Sequence, residues 1–107
     1  MIRSFVSSNN VKIYLGKNAK GNELLCKKSE KDYYWLHLEN DSSPHAIVCN
    51  HIEDKVSLHE AAKLVKMFSK SKDKRNVKVL YCQVNNIELT KITGQVILLN
   101  KPNVLII

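Results

Sequence analysis

Residues 32–51 read Asp32-Tyr33-Tyr34-Trp35-Leu36-His37-Leu38-Glu39-Asn40-Asp41-Ser42-Ser43-Pro44-His45-Ala46-Ile47-Val48-Cys49-Asn50-His51, and this stretch decides the fold. Tyr33 to Leu38 and Ala46 to Cys49 are aromatic, aliphatic or β-branched, the residue types that suit a pleated, half-buried surface. Between them, Asn40-Asp41-Ser42-Ser43-Pro44 is turn chemistry: short polar side chains that bond local backbone, then a ring that fixes φ. Two strands joined by a loop follow, with His37 and His45 near the two ends of the connection. Trp35, in mid-strand, belongs to a core more readily than to a stacking platform.

Working outward, Ile2 to Ser7 reads as a weak strand and Val11 to Leu15 as its hairpin partner, closed by Gly16. Asn18 to Lys28 reads as a short helix with Asn18 as N-cap and Lys27-Lys28 in its last turn. Gly21 weakens the first turn, so the helix could begin only there. On the other side lies the strongest helix signal, Ser57 to Lys70. Ser57 and Glu60 form a capping-box pattern, with Val56 placed to staple onto Ala61. Leu58, Ala61, Ala62, Val65 and Phe68 recur at helical spacing, and Lys63, Lys66 and Lys70 form a basic ridge opposite. Val77 to Gln83 reads as a buried strand and Ile87 to Thr93 as irregular or a short strand. Gln95 to Leu99 and Val104 to Ile107 read as two more strands. The fold class is α+β: one domain over residues 1–107, a mostly antiparallel sheet of about six short strands, one long and one short helix.

The charge is unevenly spread. The net charge is +7. Residues 12–31 carry six Lys against Glu23 and Glu30, and residues 61–78 carry seven basic residues against Asp73. The intervening residues 32–60 carry six acids against Lys55. Two basic blocks flanking an acidic one can fold into a positive face, which suits a polyanionic partner. No apolar run is long enough to span a bilayer, and no signal-peptide h-region is present. Three Cys, with no C-x-x-C pair, fit reduced thiols in the cytosol or nucleus better than a disulfide framework, and a cytoplasmic setting is the expectation.

Catalysis and metal binding find little support. His45, Cys49 and His51 share strand parity, but ligands two apart along one strand splay away from one another. No nucleophile elbow, phosphate-cradling loop or paired-carboxylate motif occurs. The reading is therefore no enzyme, no cofactor and no metal. His37 and His45 fit either a hydrogen-bonded pair that steadies the loop or a pair facing a ligand. Gly16-Lys17-Asn18-Ala19-Lys20-Gly21-Asn22 leaves a strand and enters a helix N-terminus, where free N–H groups attract anions. It fits a phosphate contact, and equally an ordinary strand-to-helix turn.

These segments together resemble the NFACT-R family. The matching positions are Gly16-Lys17-Asn18 with Asn22-Glu23-Leu24-Leu25, Asp32 through Trp35-Leu36-His37, and Ser42-Ser43-Pro44-His45. Further matches are Ala61-Ala62, Phe68-Ser69-Lys70-Ser71-Lys72, Val77 through Cys82, Thr90-Lys91 and Gly94-Gln95-Val96. The order is collinear over residues 11–99, and the details look most like the small stand-alone eukaryotic branch of the family. That branch continues into a long charged helix, which would lie beyond Ile107. The resemblance implies RNA binding without catalysis. It implies tRNA or ribosomal RNA and the large ribosomal subunit as partners, in ribosome quality control, with DNA as a further polyanion. By motif position it implies site roles for Lys17, Asn18, Asn22, Asp32, His37, His45, Ser69, Lys70 and Lys91, with Trp35 and Ser69 shaping the site beside Asp32. Gly21, Ser43-Pro44 and the longer spacer before Trp35 depart from the multidomain pattern and set tRNA-elongation partnership apart from general polyanion binding. The residue reading adds Lys20, Lys72, Lys74 and Arg75 as phosphate contacts. The alternative is a protein-interaction or DNA-binding module that uses the same basic face.

Overall fold

The central hairpin sits in the middle of a six-stranded antiparallel sheet. This computed structural model describes residues 1–107. The chain runs β1 (Ile2–Val6), β2 (Lys12–Gly16), α1 (Ala19–Lys28), β3 (Tyr34–Leu38), β4 (Ala46–Val48), α2 (Lys55–Met67), β5 (Lys78–Gln83), β6 (Ile87–Leu89), β7 (Val96–Leu98) and β8 (Asn103–Ile106). The sheet order is β1-β2-β4-β3-β5-β8, and β6 pairs only with β7 in a separate two-stranded ribbon. There are thus eight strands. The expected strand at 95–99 forms, but it joins the ribbon rather than the sheet, because period-two alternation does not say which partner a strand takes.

The sheet is covered on both faces, so β3 and β4 are apolar on both. Leu36, Ala46, Val48 and Val79 meet Leu58, Ala61, Ala62 and Val65 of α2 on one side. Trp35, Ile47 and Cys82 meet Leu25 and Cys26 of α1, with Val84 and Ile87, on the other. Trp35 is 2% exposed, a core residue as its mid-strand position required. Register fixes the rest: Trp35 lies opposite Ile47 and Cys82, and His37 lies opposite Leu80 on the same face.

The start of α2 differs from the capping-box reading. Asp54 is the N-cap, accepting from the Val56 and Ser57 N–H groups. Ser57 is buried, donates its hydroxyl to Asp54 Oδ2 at 2.7 Å and bonds Ser7 Oγ at 2.7 Å. Glu60 turns instead to the Ser8 backbone and hydroxyl. A carboxylate that takes two backbone donors and a hydroxyl outcompetes a serine cap. Val56 is exposed and staples nothing. The helix ends at Met67, so Lys70 belongs to the following turn. Lys66 leaves the expected ridge, since its Nζ donates to the Ile107 carbonyl at 3.1 Å. In α1 the Asn18 cap forms as read, its Oδ1 accepting the Gly21 N–H at 2.9 Å, and the helix starts ahead of Gly21.

No helix is long and apolar enough to cross a membrane.

Candidate functional site

A candidate site assembles where β2 hands over to α1. Gly16 ends β2 against Asn22: a Cβ at Gly16 would overlap Asn22 Oδ1 and crowd its backbone nitrogen. The missing side chain lets Asn22 Oδ1 reach the neighbouring strand, where it accepts the His45 backbone N–H at 3.0 Å. The Gly16 N–H in turn donates to the His45 carbonyl at 3.0 Å. His45 is therefore held by its backbone on both sides before its ring makes any contact.

The ring is held as tightly. The Trp35 indole N–H donates to His45 Nδ1 at 3.1 Å, and Cys26 Sγ lies 3.6 Å from the same nitrogen. An indole N–H can only donate, so Nδ1 is the acceptor and the neutral ring carries its proton on Nε2. His37 is fixed in the opposite sense. Its Nδ1 lies 2.6 Å from the Leu38 carbonyl, which can only accept, so Nδ1 carries the proton and Nε2 is an acceptor. The His37 ring stacks parallel to Trp35 at 5.8 Å and meets the His45 ring edge-on at 5.0 Å. No buried side-chain nitrogen or oxygen lacks a partner. The Nε2 atoms of both rings make no hydrogen bond within the chain, so they open to solvent. Burial, and then His37, pull the His45 pKa down to about 3. Burial also lowers that of His37, against the raising effect of its bond to Leu38. Both rings are neutral at physiological pH, with one donor and one acceptor presented outward.

They line a groove of about 480 Å³. Lys17, Asn18 and Asn22 come to it from the β2–α1 turn, His37 and His45 from the central hairpin, and Ser69 and Lys70 from the turn after α2. Seven residues chosen from the sequence, from segments far apart in the chain, therefore share one surface. Two of them have structural work there, since the Oδ1 atoms of Asn18 and Asn22 are committed to the α1 cap and to His45. Ser69 accepts the Ser71 N–H and donates to the Lys66 carbonyl. Ser71 is buried and donates to Asp41 Oδ2 at 3.0 Å, which ties the turn carrying Lys70 to the β3–β4 loop.

The remaining predicted residues lie elsewhere. Lys20, Lys72 and Lys91 are exposed and outside the groove, and Lys74 and Arg75 flank a separate cleft beside Asp41. Trp35 is the buried floor under the histidines. Asp32 stands at the opposite end of β3, five residues from His37, which is roughly 16 Å along a strand. There it bonds His51 Nδ1 at 2.8 Å, and Glu30 lies 3.9 Å from the other nitrogen of that ring. The bond from Asp32 raises the His51 pKa. Glu30, Asp32 and His51 each offer a ligand atom within 4.8 Å of the others, on open surface.

Sequence reasoning missed Arg3. It extends from β1 over the Phe68 ring, 4.5 Å from the centroid, and adds a third cation to the groove. Nothing in a weak strand and its hairpin signals this, because the contact depends on β1 lying beside Phe68 at the end of α2. The three thiols are free, and burial raises the pKa of each, Cys26 to about 11. A thiol held protonated is a poor nucleophile.

The family described as NFACT protein RNA binding domain matches residues 1–101. The chain belongs to this family. A relative is the Rqc2 homolog RqcH of Bacillus subtilis (strain 168), 28% identical over 89 residues. That alignment covers 82% of this chain and 16% of RqcH, so the NFACT-R domain spans about a sixth of that relative. Among solved structures, the C-terminal part of the fibronectin/fibrinogen-binding protein from Streptococcus suis superposes with a TM-score of 0.90. It is 21% identical and covers 97% of this chain and 43% of that one, a likeness of fold.

Proposed function

We propose that this NFACT-R domain binds RNA through the groove, by phosphate contact and without catalysis. The observation that carries the reading is the convergence of Arg3, Lys17 and Lys70 on a groove floored by two neutral histidines. The cations supply affinity for a polyanion. The neutral donor and acceptor on the floor suit the uncharged sugar and base groups of a nucleic acid. The start of α1 lies on the same groove, and a helix N-terminus favours anions. Lys20, Lys72, Lys74, Arg75 and Lys91 widen the positive surface around the groove and steer encounter more than they define the site. Family membership supports RNA as the polyanion, and similarity to RqcH supports a place in ribosome quality control with tRNA or ribosomal RNA as the target.

The test is binding of a fluorescent single-stranded RNA across a salt series. Log affinity should fall linearly with log salt, by about 0.7 for each phosphate contact. Lys17→Glu with Lys70→Glu should weaken binding and flatten the slope by about 1.4, two contacts' worth. Salt-independent binding, or a slope unmoved by the double variant, would refute the reading. Equal affinity for DNA of the same length would leave phosphate binding in the groove and remove the RNA preference.

A further inference from the structure

The groove does not end at the histidines. It continues into a second cavity of about 690 Å³, and the two share His37, Ser42, His45 and Gly94. Their characters differ. The first has Arg3, Lys17 and Lys70. The second has Leu80, Ile92, Val96 and Leu98 on its wall, with Glu39 and Asp41 beside them. An anion is drawn to the first end and repelled from the second. An apolar planar group gains from the second and little from the first. The histidines stand at the junction with one acceptor, His37 Nε2, and one donor, His45 Nε2–H, their tautomers fixed by Leu38 and Trp35.

Resting on the RNA-binding reading, we propose that the two cavities form one bipartite trough that takes an unpaired nucleotide. Its phosphate lies at Arg3, Lys17 and Lys70. Its sugar or base edge lies at the histidine pair, and its base face lies against the wall formed by Leu80, Ile92 and Val96. A nucleotide is a ligand with this order of chemistry along its length: an anion, then hydroxyls that both donate and accept, then a ring with an apolar face. The histidines are recessed, with His45 only 4% exposed. A base that is paired and stacked in a duplex presents its phosphate at the surface but cannot lower its ring into the trough. An unpaired base can. The substrate class is therefore RNA with single-stranded ends, loops or bulges, rather than continuous duplex.

The experiment compares two RNAs of equal phosphate number by fluorescence anisotropy. One is a blunt duplex, and the other is a duplex that ends in unpaired nucleotides. The second should bind about tenfold more tightly, the worth of placing one base. Ile92→Ser, which adds no charge, should reduce that preference, read as the ratio of the two affinities. Ile92 is 64% exposed, so the change does not disturb the core. In NMR, adenosine monophosphate should shift the His37 and His45 ring signals, whereas inorganic phosphate should leave them in place. Equal binding of both RNAs overturns the trough and spares the RNA-binding reading. Binding of neither overturns both.

Discussion

Acidifying the solution from about pH 7.5 to about pH 5.5 should destabilise the domain through His45. In the fold its pKa is about 3, because the ring is buried and faces His37. In the unfolded chain a histidine titrates near ~6.5. Between those values the unfolded state binds a proton that the folded state does not, so stability falls as pH falls. The loss is small above about pH 6.5, grows below it and levels off near pH 3. At pH 5.5, one unit below the unfolded value, the loss from His45 alone is about 1.4 kcal/mol. His37, also lowered chiefly by burial, acts with the same sign. His51 acts with the opposite sign. Its pKa is raised, by Asp32 first, so its contribution is present below the unfolded value and lost as pH rises through the folded one. It is fully exposed, and solvent screens it. Stopping near pH 5.5 keeps clear of Asp41, Asp54 and Glu60, whose lowered values affect stability only at more acid pH. The assay is urea unfolding followed by Trp35 fluorescence at each pH, with the His45 ring signal followed by NMR. His45→Gln, which keeps an oxygen for the indole, should reduce the pH dependence. Stability that is flat or rises toward pH 5.5, or a His45 ring that titrates above pH 5, would refute the assignment of a buried neutral imidazole.

Gly16→Ala should cost about 2–3 kcal/mol in urea unfolding, because the new methyl displaces Asn22 and releases the His45 N–H. The same variant should shift the His45 backbone and ring signals even where the fold survives. Asp54→Ala should cost about 1–2 kcal/mol as the loss of an N-cap. Glu60→Ala should cost less, since Glu60 contacts only the exposed Ser8 turn; the reverse order would restore the Ser57 capping box.

The central hairpin was legible because its two arms are mostly apolar and aromatic and its turn is built of Asn, Asp, Ser and Pro, a contrast with one simple solution. The start of α2 was not, because Ser57 and Glu60 match a capping pattern that Asp54 pre-empts, and only the fold reveals that Ser57 is buried against Ser7. Lys17, His37, His45 and Lys70 were found as separate motif positions, and their meeting depends on the β2-β4-β3 order of the sheet. Asp32 shows the converse. It is near His37 in sequence, yet an extended strand carries it to the far end, where it serves His51. Arg3 left no trace in the sequence, because its place in the groove depends on β1 meeting Phe68 after α2, more than sixty residues away.

The groove divides affinity from shape, and the division follows from burial. Its cations are exposed side chains whose pull on an anion is weakened by salt. Its floor is a chain of fixed contacts running from Gly16 through Asn22 and His45 to Trp35, set within the core. A site with charged groups on its floor would change shape as they titrate. Here burial lowers the pKa of both rings, so the floor is neutral and its outward donor and acceptor are in place at physiological pH. Acid should therefore weaken binding together with stability, whereas salt should weaken it with the fold intact. Fluorescence of Trp35, which lies under the site and within the core, separates the two in a single titration.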